Sequence, residues 1–192
     1  MSLLTRLCLA LGVIGCVLSF LGGRDYWLAS KASSTPDQMT AEQLISRGAE
    51  GNPFVEISNF MPASNFVYEE KNGRWTEVFI PFGPLDENAS AVTTVKAVFK
   101  STQVKSEADI MSKFGVEKIQ GMVMNKIESL GSEEKKLLSE SFPGANMADV
   151  LIIDVTKNPT DMKSRSLVSI GGGLACLLGC GGLGFVLLAK KR

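Results

Sequence analysis

Two uncharged apolar runs set the limits on what this chain can fold into. Residues 7–23 form a run of 17 and residues 167–189 a run of 23, in a chain of 192 residues. A helix needs about 20 predominantly apolar residues to cross a bilayer, within a range of roughly 17–25. Only helices and closed barrels satisfy their backbone hydrogen bonds inside lipid. The expected class is therefore a two-pass membrane protein, with the lipid bilayer as its first partner. The second run holds eleven Leu, Ile, Val and Phe residues. At about −0.3 to −0.6 kcal/mol each near the centre of a span, they sum to roughly −3 to −7 kcal/mol before polar and glycine terms.

Charge suggests an orientation. The formal net charge of zero hides a split: all twenty acidic and sixteen of the twenty basic residues lie between the runs. The middle is thus at −4, while Arg6, Lys190, Lys191 and Arg192 place +4 outside it. Basic residues flanking spans favour the cytoplasmic side. Both termini are expected there, with the middle extracytoplasmic: periplasmic, luminal or extracellular. Arg24, Lys163 and Arg165 stand near the opposite ends and blunt the contrast. Tyr26 and Trp27 follow the first run, where amphipathic rings anchor a helix at the interface.

Two processing alternatives compete with a retained first helix. Met1–Arg6 and the apolar run resemble a leader cleaved near Ser30, Lys31 and Ala32, but the run exceeds the 7–15 apolar residues usual in leaders. Val13-Ile14-Gly15-Cys16 has the look of a lipobox with Cys16 as acylation site. There, however, the run continues apolar where a lipoprotein turns polar.

Small residues recur inside both runs. Cys8, Gly12 and Cys16 stand four apart in the first, and Gly172, Cys176, Cys180 and Gly184 do so in the second. Lipid offers little hydrophobic drive between helices, so small-xxx-small faces supply close backbone contact. These seven residues are the expected packing faces of the spans, on each other or on a partner's helices. Residues 179–184 also match G-x-G-x-x-G, but a dinucleotide site needs a preceding strand and a following helix. Inside a span the match carries no nucleotide.

Between the spans the boundaries read as follows. Residues 1–6 are a tail, 7–23 the first span, 24–36 a linker, 37–157 one domain, 158–166 a second linker, 167–189 the second span and 190–192 a basic tail. Thr40 with Gln43 makes a capping box closed by Gly48. Residues 54–57 alternate as a strand. Residues 66–70 and 75–82 flank Asn72-Gly73, the strongest short hairpin signal. Residues 92–99 alternate again. Ser106 opens a helix to Phe114, stopped by Gly115, and Ser132 is expected to cap another, broken by Phe142-Pro143-Gly144. Residues 150–155 are a buried-type strand. Residues 116–130 suit helix or strand, with strand the preferred choice. The expected fold is α+β: a mostly antiparallel sheet of five or six strands with two or three short helices, a partly open barrel being one possible arrangement.

Catalytic chemistry has little to work with. The chain has no histidine, the commonest general base and metal ligand. All four cysteines lie in the apolar runs, so the domain holds no cysteine nucleophile, internal disulfide or cysteine zinc site. Carboxylate pairs remain at Glu69-Glu70, Asp86-Glu87 and Glu133-Glu134, but neighbours on a strand point to opposite faces. A net acidic middle without a basic stripe excludes nucleic acid as an expected partner. Asn88-Ala89-Ser90 is a glycosylation sequon in a loop.

The expected function is a non-catalytic one: an accessory membrane protein whose domain binds or scaffolds another membrane or extracytoplasmic protein, with no cofactor. Met61, Trp75, Phe82, Met122 and Met124 are the candidate contacts, and membership of the core is the plainer reading of each. Two alternatives stand beside this one. The first is a membrane-anchored enzyme or ligand-binding domain using carboxylates, with a divalent cation. The second has the glycine-rich spans themselves assemble with a larger complex.

Overall fold

The computed structural model describes residues 3–85, 95–124, 130–143 and 145–189. Asp86-Glu87, the sequon at 88–90, the proposed strand start at 92–94, residues 125–129, Gly144 and the basic residues 190–192 lie outside them. The chain divides into two compact units, one of residues 1–30 with 160–192 and one of residues 31–159.

The first unit is a pair of long helices, α1 (Leu3–Lys31) and α5 (Pro159–Ala189). Each exceeds the apolar run within it. The segment read as a linker after residue 23 is helical through Lys31, since it contains neither proline nor a further glycine to stop it. Asn158-Pro159, read as part of the second linker, instead starts α5. Proline at a first helical position loses no intrahelical bond, and its φ is already helical.

The second unit is an α+β domain built on one mixed sheet, in which eight strands are found among the described residues. Its elements are β1 (Asp37–Thr40), α2 (Ala41–Arg47), β2 (Phe54–Ser58), β3 (Phe60–Pro62), β4 (Val67–Lys71), β5 (Arg74–Pro84), β6 (Ala97–Ser101), α3 (Glu107–Phe114), β7 (Lys118–Val123), α4 (Ser132–Ser141) and β8 (Leu151–Asp154). Strand order is β1-β2-β7-β8-β6-β5-β3, with β4 also on β5. The path is open, not a barrel. The β1–β2 and β6–β8 pairs are parallel and the other five antiparallel. The eleven-residue β5 carries two partners along one edge, β4 beside residues 74–79 and β3 beside 82–84.

Local signals explain most elements. Thr40 accepts the Gln43 amide N–H at 3.2 Å while the Gln43 side chain accepts the Thr40 N–H at 3.0 Å, and Gly48 closes α2. Ser106 caps α3 and Gly115 ends it. Asn72 and Gly73 both have positive φ, 55° and 71°, as a two-residue type I′ turn requires. Within the ambiguous stretch 116–130, Lys118–Val123 form strand β7.

The sheet is larger than the five or six strands expected, and the additions are β1 and β3. β1 is Asp-Gln-Met-Thr with only Met39 buried, and β3 is three residues ending in proline. Such short, polar or proline-bearing segments sit at sheet edges, where one side needs no partner. Of the expected strand 92–99, the described part begins as β6 at Ala97. Ser132 is the first residue of α4, and Gly131 occupies the cap position without a side-chain bond.

The core lies on one face of the sheet. Ile57, Ile80, Phe82, Phe99 and Ile153 meet Leu44 of α2 and Phe114 of α3 there. Phe82 stacks on Phe99 at 3.8 Å between centroids, Phe60 meets both rings edge-on, and Phe114 lies 5.4 Å from Phe99. Phe79, Val98, Met122 and Ile152 alternate with these along the same strands and are also buried, so the sheet's centre is covered on both faces.

Candidate functional site

Two arrangements bring chemistry-bearing or contact-forming side chains together: the seam between α1 and α5, and an aromatic cluster on the β4–β5 hairpin.

In the seam the helices run antiparallel. A Cβ built on Gly15 would lie 2.8 Å from both the Gly173 carbonyl oxygen and Leu177 Cγ. One on Gly22 would lie 2.9 Å from Ile170 and 3.0 Å from the Ser166 carbonyl oxygen, and one on Gly12 would lie 3.5 Å from Cys180 Sγ. The Cys8 and Cys180 sulfurs are 3.0 Å apart, and Cys8 Sγ is 3.3 Å from the Cys180 carbonyl oxygen. The residues in contact are thus Cys8, Gly12, Gly15, Ser19 and Gly22 on α1, against Ser166, Ile170, Gly173, Leu177 and Cys180 on α5. Both sets step by four, three, four and three residues. This is a heptad seam, the repeat that keeps one helix face on its partner.

The expected packing residues divide accordingly. Cys8, Gly12 and Cys180 lie in the seam. Cys16 is exposed, a Cβ on Gly172 or Gly184 would meet nothing within 4 Å, and Cys176 makes none of these seam contacts. A strict four-residue step advances about 40° too far at each repeat, so such a stripe winds off the contact face. The mixed three-and-four step that compensates passes through Gly15, Ser19 and Gly173, which four-residue counting misses. The Ser19 and Ser166 hydroxyls are buried in this unit without a hydrogen-bond partner.

Away from the seam both helices stay bare. Only 11% of the most apolar stretch of α1 and 6% of that of α5 is buried. The core helix of a soluble protein would be mostly covered. Among the described residues these two helices are long and apolar enough to cross a membrane. Tyr26 and Trp27 are both exposed on α1.

On the domain, Tyr68 of β4 stacks on Trp75 of β5 at 4.3 Å and 24°, with Phe66 at 6.2 and 5.8 Å from these rings. Phe66 and Trp75 lean on the core, whereas Tyr68 is 42% exposed. Charged side chains stand on the same strands and on β6, at positions that alternate with Tyr68 and Val78. Lys71 pairs with Glu69 at 2.9 Å, Thr76 donates to Glu69 at 2.8 Å, and Lys100 pairs with Glu77 at 3.2 Å. The bonds from Lys71 and Thr76 hold the Glu69 carboxyl below its ordinary range, and Glu69 in turn raises Lys71.

The other contact candidates separate clearly. Trp75 and Met61 are half-buried. Phe82, Met122 and Met124 are fully buried. They belong to the core, because the sheet is covered on both faces, and they offer no surface to a partner. Tyr68 and Phe66 were the residues that sequence reading passed over. The Asn72-Gly73 hairpin signal could have found Tyr68, since it pairs β4 with the strand that carries Trp75.

Among the carboxylates, Asp154 is buried and held by Thr156, whose N–H and hydroxyl donate at 2.9 and 2.6 Å, with Lys157 Nζ at 3.5 Å. Burial lowers the pKa of Lys113, and Asp154 opposes that shift. Ser132 and Lys135 stand at Ser-x-x-Lys spacing at the start of α4, with Ser132 exposed. Among the described residues no group of three His, Cys, Asp or Glu side chains is placed to hold a metal.

What this geometry defines is a class: an α+β domain whose sequence lies between two apolar helices that pair with each other. No model of a known protein family, no curated protein sequence and no solved structure matches the chain.

Proposed function

We propose that the chain is a non-catalytic, two-span membrane protein whose central domain docks another membrane or extracytoplasmic protein. The observation that carries the reading is the helix pair, closed on a small-residue seam with its outer apolar faces bare. A bilayer is the solvent such faces suit. The excess of basic residues outside the helices supports cytoplasmic termini and an extracytoplasmic domain.

The docking surface is the hairpin cluster of Phe66, Tyr68 and Trp75. Tyrosine and tryptophan dominate interface energetics because they contribute large area at low entropic cost. The two core-supported rings hold Tyr68 in place before a partner arrives.

Purification of the tagged protein from its native membrane in mild detergent, with mass spectrometry of what remains bound, tests this. A stoichiometric partner that is lost from Tyr68→Ala, with the domain still folded, is the expected result. A solitary protein, or a partner indifferent to Tyr68, overturns the reading.

A further inference from the structure

Cys8 and Cys180 are the one pair of thiols brought into contact among the described residues. Their sulfurs lie 3.0 Å apart across the α1–α5 seam, on positions separated by 172 residues of chain. Closeness alone would mean little if the helices met loosely. Here the pair is one rung of a seam whose remaining rungs put glycine against backbone at Gly15, Gly22 and Gly173. A thiol rung so held keeps its sulfurs together instead of sampling them. Cys16 and Cys176, by contrast, have no such partner; Cys16 is turned outward.

We infer that Cys8 and Cys180 form a reversible disulfide that staples the two helices together, made by exchange with a small soluble disulfide of the glutathione class. Cys8 stands two residues from Arg6, at the boundary of the apolar run, and is partly exposed. Its thiolate attacks one sulfur of the reagent, forming a mixed disulfide and releasing one thiolate. Cys180, deprotonated in turn, attacks the Cys8 sulfur, forms the Cys8–Cys180 bond and releases the second thiolate. The protein loses two hydrogens and the reagent gains them as two thiols. Exchange of this kind runs through mixed disulfides and reverses with excess reduced thiol. The inference rests on the seam and not on the hairpin docking surface.

The test uses the full-length chain in mild detergent, with Cys16→Ser and Cys176→Ser leaving only the pair. It is incubated with oxidised glutathione, quenched by acid and digested with trypsin without reduction. The expected product joins peptide 7–24 to peptide 166–190 within one chain, with the intact mass lower by two hydrogens. Reduced glutathione then returns it to the starting mass. The unsubstituted chain, read by fragmentation of the same linked peptides, provides the same answer if the double variant fails to fold. Separate glutathione adducts on the two cysteines, unreacted thiols, or disulfides between chains each overturn the inference.

Discussion

Gly173→Ala probes the seam most directly. The added Cβ would clash with Ser19 Oγ and stand 2.8 Å from both the Gly15 carbonyl oxygen and the Ser19 amide nitrogen. The last two are backbone atoms, so no rotamer change relieves the contact and the helices must separate. Overpacking a close interface costs about 1–3 kcal/mol. At about 1.4 kcal/mol per decade, that makes the open form roughly 5- to 150-fold more populated. Cys180 reports the opening, because its partly buried sulfur faces residue 8 and Gly12 across the seam. In a chain with Cys8, Cys16 and Cys176 replaced by serine, the rate of Cys180 modification by a small methanethiosulfonate follows the open population when reclosing outpaces reaction. Gly172→Ala is the matched control: the same helix, the same gain in helix propensity and nothing within 4 Å of the new methyl. Gly173→Ala should react at least five times faster than the control. Equal rates would mean that the seam is not where the helices touch.

Three further outcomes follow from the domain. Phe99 is fully buried among three rings, so Phe99→Ala should cost about 3–5 kcal/mol of unfolding free energy in urea titration, and Phe99→Leu markedly less. Asn52 accepts the N–H groups of Ser33 and Phe54 and donates to the Thr35 carbonyl and the Asp37 carboxylate. Its replacement by alanine should cost about 1–2 kcal/mol and speed amide exchange at Ser33. Asp109 is held below its ordinary pKa of 3.8, first by the Lys105 N–H and then by Ser106. Its stabilising effect is therefore fully present above that value and lost as pH falls through the lower folded pKa. An NMR titration should place the Asp109 midpoint below 3.8, and Asp109→Asn should remove that acid-dependent step.

Features that depend on neighbouring residues could be read from the sequence. The Thr40–Gln43 capping box, the Ser106 cap and the Asn72-Gly73 turn are each closed within four residues, and the structure holds all three. Features that depend on distant partners could not. β1 becomes a strand because Asp37–Thr40 lies parallel to Val55–Ser58, and no alternation in Asp-Gln-Met-Thr announces it. The stripes of small residues were visible in both helices, but which residues face the partner depends on the winding of two helices together. The exposed candidates were chosen by residue type, and type alone does not distinguish Trp75 at a sheet margin from Met122 at its centre. The continuous apolar stretch from Val78 to Phe82 was the available clue that both faces are covered.

The place of β8 has a consequence for how the domain comes into being. It is the last strand in the sequence, yet it lies between β7 and β6, with Val123 opposite Ile153 on one side and Phe99 opposite it on the other. Until residues 151–154 leave the ribosome, β1-β2-β7 and β6-β5 with β3 and β4 are two separate half-sheets, each with an unpaired edge. Such edges invite pairing with other chains, and a sheet closed by contacts so distant in sequence forms slowly. The first apolar helix has by then been made for more than a hundred residues. The domain is a keystone arch: nascent chains stopped short of Leu151 should be caught by chaperones or proteases, and those only a few residues longer should be spared.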